Sequence, residues 1–110
     1  MKILKYPIVI DDKQLIMMPK FSRILCAQVQ NGDPYIWAAV DGAFPEVGRK
    51  IRLAGTGHDV TDVYGGSMTY KEDVGYIGTF QINDGTFVGH LFDMGEINLG
   101  DDANGWRVIS

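Results

Sequence analysis

No stretch of this chain keeps an amphipathic helical period over ten or more residues. Short runs rich in β-branched and aromatic residues recur instead, parted by Asn, Asp, Gly and Pro. A helix buries one face by repeating apolar residues every three or four positions, and a strand does so by alternation. A chain with only the second pattern must build its core from sheets, and a sheet needs another layer to cover it. The expected fold is all-β, or a β-rich α+β fold. It is a small antiparallel sandwich or barrel-like domain of about six to eight strands.

The segment ILKYPIVI (3–10) reads as a strand, DDKQ (11–14) as a turn, and QLIMMP (14–19) as a second strand ended by Pro19. Next come RILCAQVQ (23–30), the turn NGDP (31–34) and YIWAAV (35–40). Asn and Gly tolerate positive φ and Pro fixes its own, so this is the clearest hairpin. Trp37 and Cys26 are expected in the core, the latter as a buried, inert thiol. DGAFPEVG (41–48) reads as a loop, and RKIRLAG (49–55) alternates, with Ile51 and Leu53 opposing Lys50 and Arg52. Residues 58–74 are polar, Gly-containing and aperiodic, so they read as a long loop with room for one helical turn. GYIGTFQI (75–82), NDG (83–85) and TFVGHLFDM (86–94) form a second hairpin. Residues 1–94 thus make one β-rich domain. Residues 95–110 are an extension whose apolar WRVI adds an edge strand or docks on a neighbouring subunit.

Composition narrows the function. The 110 residues suit one domain, and the net charge of −4 argues against binding long nucleic acids. A small anionic ligand stays open, because a few local cations suffice for it. The single cysteine, Cys26, excludes an internal disulfide and a Cys-based metal site. No run approaches the roughly 20 apolar residues of a membrane span. The start, MKILKYPIVIDD, is too short and interrupted for a signal peptide. A reducing compartment fits.

GTGHDV (55–60) is the stretch closest to a chemical motif. Glycines let a backbone approach a phosphate closely, and Thr56 adds a hydroxyl. The stretch lacks the P-loop and dinucleotide spacings, so a tight turn after the strand is the plainer reading. Arg52 precedes Gly55 by three residues and offers a guanidinium for an anion. Tyr64 and Tyr76 lie near Gly-rich segments and offer stacking faces for a nucleobase. Thr79 and His58 would add polar contacts. A hydrolase using His58 with a metal or with Asp59 is a further alternative. No HxH or HExxH spacing supports a metal, and both His58 and His90 read better as hydrogen-bonding residues.

KYPIVIDD, MP (18–19), ILCAQVQNGDPYIWAAVD (24–41), RLAGTGH (52–58), YIGTFQINDG (76–85) and VGHLFD (88–93) together resemble a family of small β-rich bacteriophage proteins. The likeness runs in order through nearly all of residues 5 to 93. The chain departs from the family pattern by a longer insert at 59–74 and the tail 95–110. The resemblance points to the phage-encoded sponges that capture cyclic nucleotide signals of bacterial antiviral (CBASS) defence. It implies a non-enzymatic homo-oligomer, a dimer or tetramer, in the host cell cytoplasm. It implies no cofactor, no membrane and a small anionic cyclic nucleotide as ligand. Arg52, Gly55, Thr56, Gly57, His58, Tyr64, Tyr76 and Thr79 are the candidate binding residues. A protein–protein or structural phage accessory role is the alternative.

Overall fold

Strands alternate because successive side chains point to opposite faces, and β4 shows this most cleanly. In β4 (Asp33–Val40), Pro34, Ile36, Ala38 and Val40 are buried, and Tyr35, Trp37 and Ala39 are half-buried. The computed structural model describes residues 1–65, 68–71, 74–98 and 103–109. Besides β4, the described strands are β1 (Lys2–Pro7), β2 (Lys13–Pro19), β3 (Arg23–Gln30), β5 (Glu46–Gly55), β6 (Gly75–Ile82), β7 (Phe87–Ile97) and β8 (Arg107–Ile109). They form two sheets, one of three strands ordered β1-β4-β3 and one of five ordered β6-β7-β5-β2-β8. The fold is all-β, and no described residue is in an α-helix.

Between the sheets lie Ile8, Ile16, Met18, Ile36, Ile51, Leu53, Phe80 and Leu91. Both expected hairpins form. Their turns carry Asn31, Gly32, Asn83, Asp84 and Gly85 at positive φ. Trp37 and Cys26 are not core residues. Cys26 pairs with Trp37 across the ladder and both are half-buried. Both parities of YIWAAV are apolar, and the smaller set, Ile36 and Ala38, faces inward. β2 begins one residue before the expected strand, at Lys13, so Gln14, shared by the expected turn and strand, lies in the strand. It is fully buried and satisfied by Val9 and Asp11, with bonds of 2.9 to 3.1 Å. The loop expected at 41–48 is shorter, because β5 begins at Glu46.

The described end of the tail, residues 103–109, lies on its own domain. β8 runs parallel to β2. The Lys13 and Lys50 ammonium groups stand 6.0 and 5.8 Å from the Trp106 ring centroid.

Three register shifts break the ladders, between Ile24 and Cys26, Tyr76 and Gly78, and Arg49 and Ile51. Each inserts one extra residue and flips the faces beyond it. At the second, β6 has the extra residue, Ile77. Tyr76 and Thr79, three apart, would otherwise face opposite ways; here both pair with outward residues of β7, Phe92 and His90. At the third, β7 has the extra residue. Asp93 and Glu96 then share the inner face, opposite Ile51 and Arg49.

The polypeptide after β5 folds back over the outer face of the five-stranded sheet. There Val63 packs on Ala54 and Phe92, joined by Val60, Tyr64, Val74 and Met94. β5 is consequently covered on both faces.

Candidate functional site

The GTGH stretch is a tight turn closed twice. The His58 N–H donates to the Gly55 carbonyl at 3.0 Å. The Gly55 N–H in turn donates to His58 Nδ1 at 3.1 Å. A nitrogen that accepts carries no proton, so neutral His58 presents its N–H at Nε2. Gly57 has φ 91°, and a Cβ on Gly55 would sit 2.9 Å from His58 Cε1. Gly57 is therefore required by the turn, whereas a side chain at Gly55 would have to push the exposed His58 ring aside. A small pocket of about 200 Å³ opens beside it, lined by Gly55, Thr56, His58, Thr86, Phe87 and Val88.

From this turn a polar line crosses the outer face of the sheet. Thr56 Oγ1 lies 2.8 Å from His90 Nε2. Thr79 Oγ1 lies 2.9 Å from His90 Nδ1. The Tyr76 hydroxyl bonds Thr79 Oγ1. A neutral imidazole has one N–H and one lone pair, so one threonine donates to the ring and the other accepts from it. The line thus has a direction that a ligand at either end would select. The β6 bulge makes it possible by turning Tyr76 to the same face as Thr79.

Aromatic rings flank this line. Tyr64 stacks on Tyr70 at 5.0 Å between centroids, and Tyr64 and Tyr76 contact Phe92 at 5.8 and 5.6 Å. Tyr70 is 45% and Tyr76 50% exposed, so each side chain meets solvent over about half its surface. The Tyr70 phenol is pushed above its ordinary pKa. The causes are a hydrogen bond with Tyr64, then burial, then the neighbouring Tyr64 and Tyr76 phenols.

Arg52 does not join the exposed face. It is 7% exposed and points beneath the covering loop. Its Nε donates to Asp62 at 2.8 Å, and its Nη2 donates to the Asp59 carbonyl at 3.1 Å. Its Nη1 donates to the Leu53 carbonyl. The guanidinium expected to meet a phosphate pins residues 59–62 instead. Asp59 turns its carboxylate to the Thr61 N–H at 2.7 Å and to the Thr61 hydroxyl, not to His58. Those bonds hold its pKa below the usual range. Among the described residues, no three His, Cys, Asp or Glu side chains are grouped to hold a metal ion.

Of the eight expected residues, Thr56, His58, Tyr76 and Thr79 lie along one surface, with Gly55 and Gly57 shaping its turn. Tyr64 lies at its edge, stacked beneath Tyr70. The hub, His90, was not among them. Hairpin register could have found it with the turn read as four residues, 83–86: Ile82 opposite Phe87 sets Thr79 opposite His90.

The profile of a family described as "Domain of unknown function (DUF7352)" matches residues 1–99. No curated protein matches the chain. No solved structure matches it either.

Proposed function

We propose, from the premise that the chain belongs to the DUF7352 family over residues 1–99, that it is a non-enzymatic module capturing a small ligand with a flat ring and several hydrogen-bonding groups. A cyclic nucleotide signal fits that description, and capture without cleavage would make the protein a sponge for it. One observation carries the reading. The Tyr76–Thr79–His90–Thr56 line and the exposed faces of Tyr70 and Tyr76 share one side of one sheet. A base would stack on a tyrosine face, where stacking contributes about 1–3 kcal/mol. Sugar and phosphate oxygens would meet the threonine hydroxyls and His58 Nε2–H. Both ring nitrogens of His90 are already bonded to threonines, so a general base would first have to break one of those bonds. That favours binding over catalysis.

A thermal-shift panel against cyclic mono-, di- and trinucleotides, with linear controls, tests this. Ligand at a hundredfold over its Kd stabilises by about 2.7 kcal/mol. For a domain of this size that raises Tm by roughly 10 °C. Tyr76→Ala and Thr79→Val should each weaken binding by about tenfold or more, with the ligand recovered intact. A flat panel, or a cleaved ligand, overturns the reading.

Exposure of Phe21 and Phe44, 66% and 42%, favours a second reading, a protein-interaction role. Their rings meet edge to face at 5.1 Å, an apolar projection on the surface. A flat nucleotide panel together with a stable complex formed through these rings would select it.

A further inference from the structure

Arg49 and Arg52 are three apart in β5 and face opposite sides of the sheet. Arg49 points inward at the end of the sandwich and is 9% exposed. Its Nε donates to Asp93 at 3.0 Å and its Nη2 to the Ser22 carbonyl at 2.7 Å. Its Nη1 is buried and has no hydrogen-bond partner among the described residues. One carboxylate oxygen near Nη1, Glu96 Oε2, stands 3.6 Å away, too far to accept a hydrogen bond. Glu96 is held there by a different donor, the Phe21 N–H, at 2.7 Å.

This arrangement lines a cleft of about 690 Å³, with Phe21, Ser22, Arg49, Asp93, Gly95 and Glu96 on its walls. Two backbone features set it up. Phe21 has φ 67°, which is unfavourable for an aromatic residue in a tight turn. The turn is closed by Ser22, whose N–H and hydroxyl both donate to the Pro19 carbonyl, at 3.2 and 2.6 Å. Strain of this kind collects where a backbone must present a group in a fixed direction. Here it turns the Phe21 N–H into the cleft and its ring outward against Phe44. The second feature is the β7 bulge. Gly95, at φ 91°, brings Glu96 onto the Arg49 face, and its N–H donates to Asp93 at 2.9 Å.

We propose that this cleft is a second binding site, for a carboxylate joined to an apolar body, and that Glu96 holds its place in the free chain. An incoming carboxylate takes the Phe21 N–H and comes close enough to accept from Arg49 Nη1, which Glu96 does not. Its apolar body packs on the exposed rings of Phe21 and Phe44. Asp93 stays, committed to Nε and to the Gly95 N–H. Glu96, whose side chain is 26% exposed, swings toward water. Its departure also removes the repulsion that would oppose a second anion.

A free organic acid and the acidic side chain of a polypeptide present the same group, so two probes separate the sources. Phenylacetate and a blocked Asp-Phe dipeptide amide are titrated into labelled protein and followed by amide NMR. Phenylacetamide serves as the neutral control. The expected result is a saturable shift of the Phe21 amide with at least one carboxylate and none with the amide. Glu96→Gln removes the internal competitor and should tighten binding by about tenfold. The tighter probe identifies the source. Arg49→Lys keeps the charge but not the fork, and should abolish the shift. If Arg49→Lys does not fold, Glu96→Gln decides alone. No shift in Glu96→Gln, or an equal shift with phenylacetamide, overturns the proposal.

Discussion

Replacing Arg52 should destabilise the protein rather than merely weaken a binding site. Arg52→Met keeps the apolar stem and removes the guanidinium. Three partners then lose their donor: the Asp62 carboxylate and the carbonyls of Leu53 and Asp59. Breaking a buried pair from one side costs about 3–5 kcal/mol. Asp62, however, is 38% exposed in its side chain, so water takes over part of its solvation. Asp59 is exposed as well, but the Leu53 carbonyl is buried and lacks that relief, and about 2 kcal/mol of lost stability is the reasonable expectation. In a domain of this size that lowers Tm by about 10 °C. Asp62→Asn leaves an acceptor in place at a position that is itself partly exposed and should cost about 0.5–1 kcal/mol. Calorimetry on both variants gives the answer. An Arg52→Met protein melting within about 2 °C of the parent would refute the structural role. If that protein also lost nucleotide binding, Arg52 would be restored as a phosphate ligand.

Gly89 faces the core where a Cβ would lie 2.6 Å from Phe80 Cζ and 2.8 Å from Leu53 Cδ1. Gly89→Ala should therefore cost about 1–3 kcal/mol in urea unfolding. Gly55→Ala meets only the exposed His58 ring, so it should cost less than about 1 kcal/mol while displacing the His58 NMR signals. Tyr70 gives an alkaline test. Its raised pKa means that folding favours the neutral phenol. The stabilisation is complete below the usual tyrosine pKa of about 10 and is lost as pH rises through the higher folded value. Tyr70→Phe should remove that part of the alkaline destabilisation and take from the tyrosinate absorbance titration a step that lies above the usual tyrosine value. Loss of a step at the usual value instead would show that the phenol is not held by Tyr64.

Local signals located the strands well, and side-chain facing poorly. NGDP and NDG needed positive φ and received it, at Asn31, Gly32, Asn83, Asp84 and Gly85. Alternation in β5 suggested that Lys50 and Arg52 face solvent. It failed for Arg52 because the loop after β5 returns to cover that face, a contact no local pattern encodes. Parity failed in β4 because Trp37 and Ile36 are both apolar, and the choice between them belongs to the opposing sheet. The bulges escaped for the same reason. A single extra residue such as Ile77 leaves composition unchanged yet moves every later side chain to the other face. The parallel pairing of β8 with β2 joins residues far apart in sequence, so the tail could be read as a strand but not placed.

These bulges also decide what kind of recognition the chain can support. A regular β6 would separate Tyr76 from Thr79, and a regular β7 would separate Asp93 from Glu96. With the bulges, one sheet carries two distinct surfaces. Outside is a line of hydroxyls and imidazole beside open tyrosine rings. At the sandwich end is a buried guanidinium guarded by two carboxylates. Arg52 is committed to the covering loop, so neither of these β5 arginines lies free beside the tyrosine face. A nucleotide held there would depend on ring stacking and neutral donors. Its affinity should then fall only slightly with added salt, because exposed ion pairs, not stacked rings, are what salt screens. A carboxylate at Arg49 would be shielded by burial and would likewise resist salt, but would depend on Glu96. Sensitivity to Glu96→Gln at one surface and to Tyr76→Ala at the other separates the two sites within a single folded protein.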